Sequence, residues 1–93
     1  MNRLKALPAF LTLALLTACA EGHLKVENKS TNSHQAVVID GTNYLDLRPG
    51  ESQTIDLDPD TYVLEFRGIN GGGCGETKVR IKSGQTESRY CTN

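Results

Sequence analysis

Turn-forming residues recur about every ten positions through most of this sequence, and they separate short segments in which apolar and polar residues alternate. The turn signals are Asp40-Gly41, Arg48-Pro49-Gly50-Glu51, Asp58-Pro59-Asp60, the glycine-rich stretch 68–75 and Ser83-Gly84. Asp-Gly is typical of a two-residue hairpin turn, and Pro-Gly favours a type II turn because Gly accepts a positive φ. Strands at this spacing predict an all-β fold, a small antiparallel β-sandwich.

We predict about six or seven short strands between these turns. The first alternates around Leu24 and Val26. The others are Gln35–Asp40, Tyr44–Leu47, Ser52–Leu57, Thr61–Arg67, Glu76–Lys82 and Gln85–Cys91. The period of two places one set of side chains on each face. We expect the last two strands to form a hairpin over Ser83-Gly84, and no helical period is found after the first 18 residues.

The first 18 residues have the composition of a secretory signal peptide. Arg3 and Lys5 give a basic start, an apolar run extends from Ala6 to Leu16, and small residues precede Cys19. A retained membrane helix is disfavoured because a span needs about 20 apolar residues and Pro8 interrupts this shorter run. A plain signal peptide, which would leave the cysteine unmodified, is the other alternative.

The segment Leu16-Thr17-Ala18-Cys19 resembles the lipobox of bacterial lipoproteins. The resemblance implies a lipidated Cys19, palmitate among its acyl chains, and cleavage directly before it. The domains expected are a signal peptide over 1–18, a lipidated tether over 19–23 and a β domain over 24–93. Ala20 is not the aspartate that commonly retains lipoproteins in the inner membrane, so we expect the outer membrane.

Two further cysteines are expected to stabilise the domain. Cleavage before Cys19 would leave 75 residues, a size at which the core is small and a covalent link is common. Cys74 and Cys91 are then an even pair in an oxidising compartment, and we predict a disulfide between them. A metal site or a reactive thiol is the alternative, although no histidine lies at ligand spacing. The glycines at 71–73 would let the chain bend toward Cys91, or form a mobile recognition loop.

The turn motifs between Gln35 and Arg67 resemble those of small immunoglobulin-like or transthyretin-like β-sandwiches of bacterial envelope proteins. The carboxypeptidase-regulatory-like and PEGA modules share this order of strand, Pro-Gly turn, strand, turn and Tyr. The matching segments are Asp40-Gly41, Leu47-x-Pro49-Gly50-Glu51-Ser52 and Leu57-x-Pro59-Asp60-Thr61-Tyr62-x-Leu64. This chain departs from the pattern in having Asp60 where glycine is common. The resemblance implies a sandwich fold and a non-catalytic module, and it carries no binding residues over.

Charge is unevenly distributed although the formal net charge is only −1. Seven acidic residues lie between Asp40 and Glu65 against one basic residue, and five basic residues follow from Arg67 onward against two acidic ones. Neither block is dense enough to indicate nucleic-acid binding. The candidate binding surface consists of Lys78, Arg80 and Lys82, with Arg89 on the neighbouring strand. These residues would contact lipid A phosphates or an acidic partner, or simply keep the strand soluble and unpaired.

We predict no enzymatic activity for this chain. Its two histidines, His23 and His34, fall in polar segments, and the sequence has no Gly-x-Ser-x-Gly elbow. Nucleophilic catalysis needs a base within hydrogen-bond reach and a third group that orients it.

No metal ion or cofactor is predicted either. Asp56, Asp58 and Asp60 alternate as ligands of a calcium loop do, but the following glycine and the distal glutamate are missing. Turn formation beside Pro59 explains them better. The glycine-rich stretch lacks the Lys-Ser/Thr and the helix of a phosphate-binding loop.

The sequence therefore predicts a small membrane-anchored envelope lipoprotein that acts as a non-catalytic binding module. The expected partners are the membrane, through Cys19, and an envelope protein. The alternatives are an accessory subunit of a secretion or conjugation apparatus, and an exclusion or immunity lipoprotein of a mobile element that blocks a receptor or a periplasmic enzyme.

Overall fold

The computed structural model describes residues 20–69 and 71–92. This part of the chain forms seven strands: β1 (Gly22–Asn28), β2 (Gln35–Ile39), β3 (Thr42–Leu47), β4 (Ser52–Leu57), β5 (Asp60–Gly68), β6 (Gly75–Ile81) and β7 (Thr86–Cys91). They make a three-stranded sheet in the order β4-β1-β7 and a four-stranded sheet in the order β3-β2-β5-β6. The predicted all-β sandwich is confirmed.

The predicted signal peptide and Cys19 lie outside the described residues. No helix in the described part of the chain has the length and apolar character needed to cross a membrane.

The core lies between the two sheets and follows from the alternation of side chains. In β1 every second residue, beginning with Gly22, is buried, because successive side chains of a strand point to opposite faces. The core cluster consists of Leu24, Val26, Val37, Ile39, Leu47, Ile55, Leu57, Leu64, Phe66, Val79, Ile81 and Cys91. Central strand β2 is buried on both faces, since its outward Ala36 and Val38 lie opposite Arg67 and Glu65 of β5.

The β2–β3 hairpin has the predicted tight turn at Asp40-Gly41. Both residues have a positive φ, 50° and 83°, as a type I′ turn requires. Strand β3 begins at Thr42, two residues before the predicted start, and a bulge interrupts its pairing with β2 between Val37 and Val38. Local turn chemistry therefore defines this hairpin.

A second corner carries the chain from one sheet to the other between β4 and β5. The hydroxyl of Tyr62, at the start of β5, donates a hydrogen bond of 2.6 Å to the carbonyl oxygen of Asp58. Tyrosines in this position fix similar corners of immunoglobulin-like sandwiches. The side chain of Tyr62 also packs against the core, so its ring and its hydroxyl together hold the corner.

The predicted hairpin between the last two strands is wrong. Strand β6 belongs to the four-stranded sheet, while β7 crosses to the other sheet and pairs with β1 in parallel, from His23 opposite Thr86 to Asn28 opposite Cys91. The crossing begins with backbone bonds from Gly84 N to Glu21 O, 2.9 Å, and from His23 N to Gln85 O, 2.8 Å. These bonds direct the chain to the free edge of β1, so the sandwich is mostly and not entirely antiparallel.

The strands separate two ends of the sandwich. The N-terminal end contains Gly22, the β4–β5 corner (58–60) and the β6–β7 turn (82–84). The loop end contains the β1–β2 loop (29–34), the β3–β4 turn (48–51) and the glycine loop, which we define as residues 69 and 71–74. The seven residues of β1, at about 3.3 Å each, place the two ends roughly 20 Å apart.

Candidate functional site

The predicted disulfide between Cys74 and Cys91 is present, with 5.7 Å between the Cα atoms. It does not join neighbouring strands of a hairpin, as the sequence led us to expect. It joins the residue before β6 in one sheet to the last residue of β7 in the other. The β6–β7 turn connects the same two edge strands at the N-terminal end, so this side of the sandwich is closed at both ends. The Cys91 side is fully buried and the Cys74 side is exposed.

The glycine loop is compact because its backbone folds back against the end of β5. Cys74 N donates to Phe66 O at 2.9 Å, and Gly71 N donates to Gly68 O at 3.3 Å. A Cβ atom at Gly73 would collide with Phe66 O and Gly68 N. The glycines therefore allow a close approach of backbone to backbone, which brings Cys74 to its partner.

A buried polar network holds the loop end together, and sequence reasoning missed it. The Asn28 side-chain amide donates to Ser33 O at 2.7 Å and to Leu47 O at 3.0 Å. Its carbonyl oxygen accepts bonds from the backbone N–H and the hydroxyl of Ser30. Asn28 is fully buried, so its amide is inaccessible, although Asn28-Lys29-Ser30 matches a glycosylation sequence. The signal that could have revealed it is its position, because Asn28 continues the inward period of Leu24 and Val26.

A second buried amide, Gln35, lies beneath the glycine loop. Its Nε2 donates to Gly72 O at 3.4 Å, and its Oε1 has no hydrogen-bond partner among the described residues. Buried polar atoms of this kind commonly bond to ordered water.

The outer surface of the loop end combines basic and apolar side chains. Tyr90 is 60% exposed and Ile69 is 52% exposed. The Lys29 ammonium lies 4.1 Å from the centroid of the Tyr90 ring, a cation–π contact. Backbone bonds join the parts of this surface, from Lys29 N to Cys91 O at 2.7 Å and from Ile69 N to His34 O at 3.1 Å. Exposed tyrosines such as Tyr90 are enriched in protein-binding surfaces.

The predicted basic surface is not a single stripe. Lys78 and Arg80 are exposed on the outer face of β6, and Lys82 follows directly. Arg89 is on β7 in the other sheet, where it bonds to Glu87 at 3.2 Å and to Ser88 O at 2.8 Å. The expected pairing of β6 with β7 would have joined all four residues, and it does not occur. Their role in binding remains a prediction.

Two of these basic residues line a groove at the N-terminal end. The groove has a volume of about 330 Å³ and lies between the β4–β5 corner and the end of β6. Its lining consists of Pro59, Asp60, Thr61, Arg80, Ile81, Lys82 and Ser83. Asp60 accepts a bond from Thr61 N at 2.7 Å. Within residues 20–69 and 71–92, neither Asp60 nor the two cations belongs to an ion pair.

The remaining candidate residues for chemistry lie on the surface. Nδ1 of His23 is 2.7 Å from a carboxylate oxygen of Asp56, and both side chains are exposed. His34 is exposed as well. In the described ranges, no three histidine, cysteine, aspartate or glutamate side chains are grouped so as to hold a metal ion.

Among residues 20–69 and 71–92, the fold shifts the ionisation of three side chains. Partial burial, together with the charges of Asp58 and Asp60, raises the pKa of the Tyr62 hydroxyl. A hydrogen bond from Arg67 lowers the pKa of Glu65, and the same bond raises the pKa of Arg67. Arg67 is exposed and Glu65 is half-buried, and the pair covers the outward side of β2.

The sequence matches no protein-family model and no curated protein at a significant level. Among solved structures, the chain is similar to a minor pilin of the Gram-positive pathogen Streptococcus agalactiae, with a TM-score of 0.56 and 15% identity. The similarity covers 81% of this chain and 44% of the pilin chain, so this chain spans less than half the length of that protein. At this identity the likeness shows the fold alone, a β-sandwich.

Proposed function

We propose that this protein is a small envelope lipoprotein, anchored through acylated Cys19, whose β-sandwich is a non-catalytic binding module. The anchor is expected in the outer membrane, because Ala20 is not the aspartate that commonly retains lipoproteins in the inner membrane. In this proposal the loop end contacts an envelope protein, and the N-terminal end faces the lipid surface.

The observation that carries this proposal is the placement of the two ends. Only two residues separate Cys19 from Gly22, and three chain steps reach at most about 11 Å. An anchored domain would therefore hold its N-terminal end close to the membrane. The loop end, with exposed Tyr90 and Ile69, would then point away from the membrane, where a partner can reach it.

The structural neighbour is a minor pilin, and at 15% identity it supports the sandwich fold of the proposed module and not its role. An accessory subunit of a secretion or conjugation apparatus, or an exclusion or immunity lipoprotein, would use the same anchor and the same loop end. The identity of the partner separates these alternatives.

Replacement of Cys19 tests the anchor. We expect the full-length protein to enter the detergent phase on cloud-point partition, and Cys19→Ser to remain aqueous and uncleaved. The matched control is Cys74→Ala with Cys91→Ala, which removes the other two cysteines and should leave partition unchanged. A wild-type protein that stays in the aqueous phase contradicts the anchor.

Site-specific photo-crosslinking in cells tests the orientation. A crosslinking residue in place of Tyr90, at the loop end, should give a discrete protein adduct. The same residue in place of Lys25, which is exposed in the middle of β1 and outside the candidate binding surface, is the control and should give none. Equal adducts at both positions contradict a loop-end interface.

A further inference from the structure

We propose that the protein associates with further copies of itself through two edge strands, with β3 of one copy paired antiparallel to β6 of the next. This inference goes beyond the proposed anchor and loop-end contact, because both strands run along the sides of the sandwich. It assigns a partner, a second copy of this chain, to the outward charges of β6.

The two strands are the free edges of the four-stranded sheet, whose order is β3-β2-β5-β6. Each edge strand is paired on one side only, so alternate backbone N–H and C=O groups face outward. Neither strand contains proline. In the described part of the chain, no backbone bond of a turn or loop involves the residues of either strand. Both edges can therefore accept a further strand.

The strand directions favour pairing between copies that lie side by side. Three antiparallel pairings separate β3 from β6, so these two strands run in opposite directions. A copy displaced along the sheet by four strand spacings, about 19 Å, therefore presents its β6 antiparallel to β3 without being turned over. All copies then point the same way, and anchored copies would all hold their N-terminal ends toward the membrane.

One register matches both faces of the two strands. In β3, Leu45 packs against the core and Asp46 lies on the outer face with its neighbour Ala36. In β6, Val79 is buried and Lys78 is exposed. Placing Asp46 opposite Lys78 of the next copy makes opposite charges meet on the outer face. The adjacent positions, Leu45 and Val79, then also lie opposite each other and extend the core, whereas a slip of one residue would lose both matches.

The flanking positions in this register are also complementary. Tyr44 is 48% exposed and would lie beside Arg80, whose guanidinium is attracted to an aromatic face. Arg48, which follows β3 directly, would lie near Glu76. In the described part of the chain, neither these charged residues nor the central pair belongs to an ion pair. Their charges are therefore available to a second copy.

The other pairings of free edges are disfavoured. Two copies of β6 would bring rows of basic side chains together, and two copies of β3 would offer only acidic ones; like charges directly opposite each other destabilise a sheet. In β7, Glu87 and Arg89 lie opposite the buried Leu24 and Val26, so an edge strand carries charges on its core face, which opposes strand addition. The one charge of β4, Asp56, already has a partner.

Pairing of β3 with β6 is heterologous, so each pair of copies retains a free β3 and a free β6, and association continues into an open chain or a ring. The regular part of β3 is short, because the bulge precedes Leu45. The contact between two copies is therefore small and weak, and attachment to a membrane would strengthen it by raising the effective concentration.

Crosslinking of the full-length protein in cells tests the pairing. The variant with both Asp46→Cys and Lys78→Cys should give a ladder of dimers and larger species on mild oxidation, with positions 46 and 78 linked. Within one chain these positions are three strand spacings apart, about 14 Å, and a disulfide needs Cα atoms about 4.4–6.8 Å apart. Each link must therefore join two chains.

The matched control for crosslinking is Asp46→Cys with Lys25→Cys, which should stay monomeric because Lys25 lies outside both edge strands. Equal ladders in the two variants, or monomers alone in both, overturn the pairing. Linkage of position 46 to a different protein overturns a second copy as its occupant.

Charge reversal gives an independent measure, by sedimentation equilibrium of the purified full-length protein in a neutral sugar detergent. Asp46→Lys and Lys78→Asp should each weaken self-association about fivefold or more, because each places like charges opposite one another. The two substitutions combined should restore it, while Lys25→Asp, the control, should leave it unchanged. A combined variant as weak as the single ones overturns this register. Neither strand includes Cys19, so failure of the pairing is distinguishable from failure of the anchor.

Discussion

The side-chain amide of Asn28 donates a hydrogen bond of 3.0 Å to the carbonyl oxygen of Leu47. Asn28 ends β1 in one sheet and Leu47 ends β3 in the other, so a buried polar contact joins the sheets where the hydrophobic core stops. The backbone of Asn28 extends the link, since its N–H donates to Glu51 O at 2.9 Å and its carbonyl accepts from Gly50 N at 2.7 Å. One residue therefore connects the β1–β2 loop, the β3–β4 turn and both sheets.

Replacing Asn28 with Ala should lower the free energy of unfolding by about 3 kcal/mol. The substitution leaves the Leu47 carbonyl and part of the Ser30 hydrogen bonding unsatisfied, and a buried polar group without a partner costs about 1–3 kcal/mol. Urea unfolding at pH 7 measures the change. Asn32→Ala is the matched control, because Asn32 is exposed in the same loop and its loss should stay within about 0.5 kcal/mol. Equal stability of the two variants would show that the network does not hold the loop end.

Reduction of the Cys74–Cys91 disulfide should destabilise the domain by about 3 kcal/mol, the value expected from chain entropy for a loop of similar length. The bridge spans 17 residues and joins two edge strands. Urea unfolding with and without a reducing agent gives the difference. The variant with both Cys74→Ala and Cys91→Ala should unfold at the same urea concentration with and without the reductant. In the oxidised wild-type protein, mass spectrometry after alkylation should find no free thiol at either position. An unchanged unfolding midpoint on reduction contradicts the stabilising role.

Local chemistry made much of the fold predictable. Asp40-Gly41 between two alternating segments favours a type I′ turn, and the period of two in Thr61–Arg67 identifies its buried face. The partner of β7 was not predictable in this way. Alternation shows which face of a strand is buried, but the pairing of Thr86–Cys91 with β1 depends on contacts about sixty positions apart.

The candidate sites also divide into features that the sequence indicates and features that only the tertiary structure creates. Cys74 and Cys91 could be paired from their number and the predicted oxidising compartment, whereas the groove forms only because the β4–β5 corner meets the end of β6. Arg80 and Lys82 were candidates from their charge alone, and Asp60 was interpreted as a turn residue. They line one groove only because the tertiary structure brings the start of β5 beside the end of β6, so the sequence could not indicate it.

The stability of the domain should fall as the pH rises past about 10, the usual pKa of a tyrosine in an unfolded chain. The pKa of the Tyr62 hydroxyl is raised in the folded state by partial burial and by Asp58 and Asp60. The unfolded state therefore loses this proton first and is favoured at high pH, while below pH 10 both states keep the proton and the contribution is intact. Urea unfolding at pH 8, 10 and 11 should show a smaller loss for Tyr62→Phe than for the wild type. Identical pH profiles of the two proteins would contradict the raised pKa of Tyr62.

At pH 8 the Tyr62→Phe variant should already be about 1 kcal/mol less stable than the wild type, since it lacks the hydrogen bond to Asp58 O.

Two glycines of the same loop should respond differently to replacement by alanine. Gly71 has a φ of 89° and open space around a Cβ atom, so Gly71→Ala should cost about 1–2 kcal/mol through the left-handed backbone alone. At Gly73 the added atom would meet Phe66 O and Gly68 N. Because both are backbone atoms, the loop must move, and we expect a loss of about 3 kcal/mol.

Displacement of the loop would also carry Cys74 away from Cys91, so Gly73→Ala should form the disulfide more slowly during oxidative refolding than Gly71→Ala does. Urea unfolding of the oxidised variants and the rate of thiol loss measure the two effects. If Gly71→Ala is as destabilising as Gly73→Ala and refolds as slowly, the backbone conformation at Gly71 governs the loop, and the close approach at Gly73 does not.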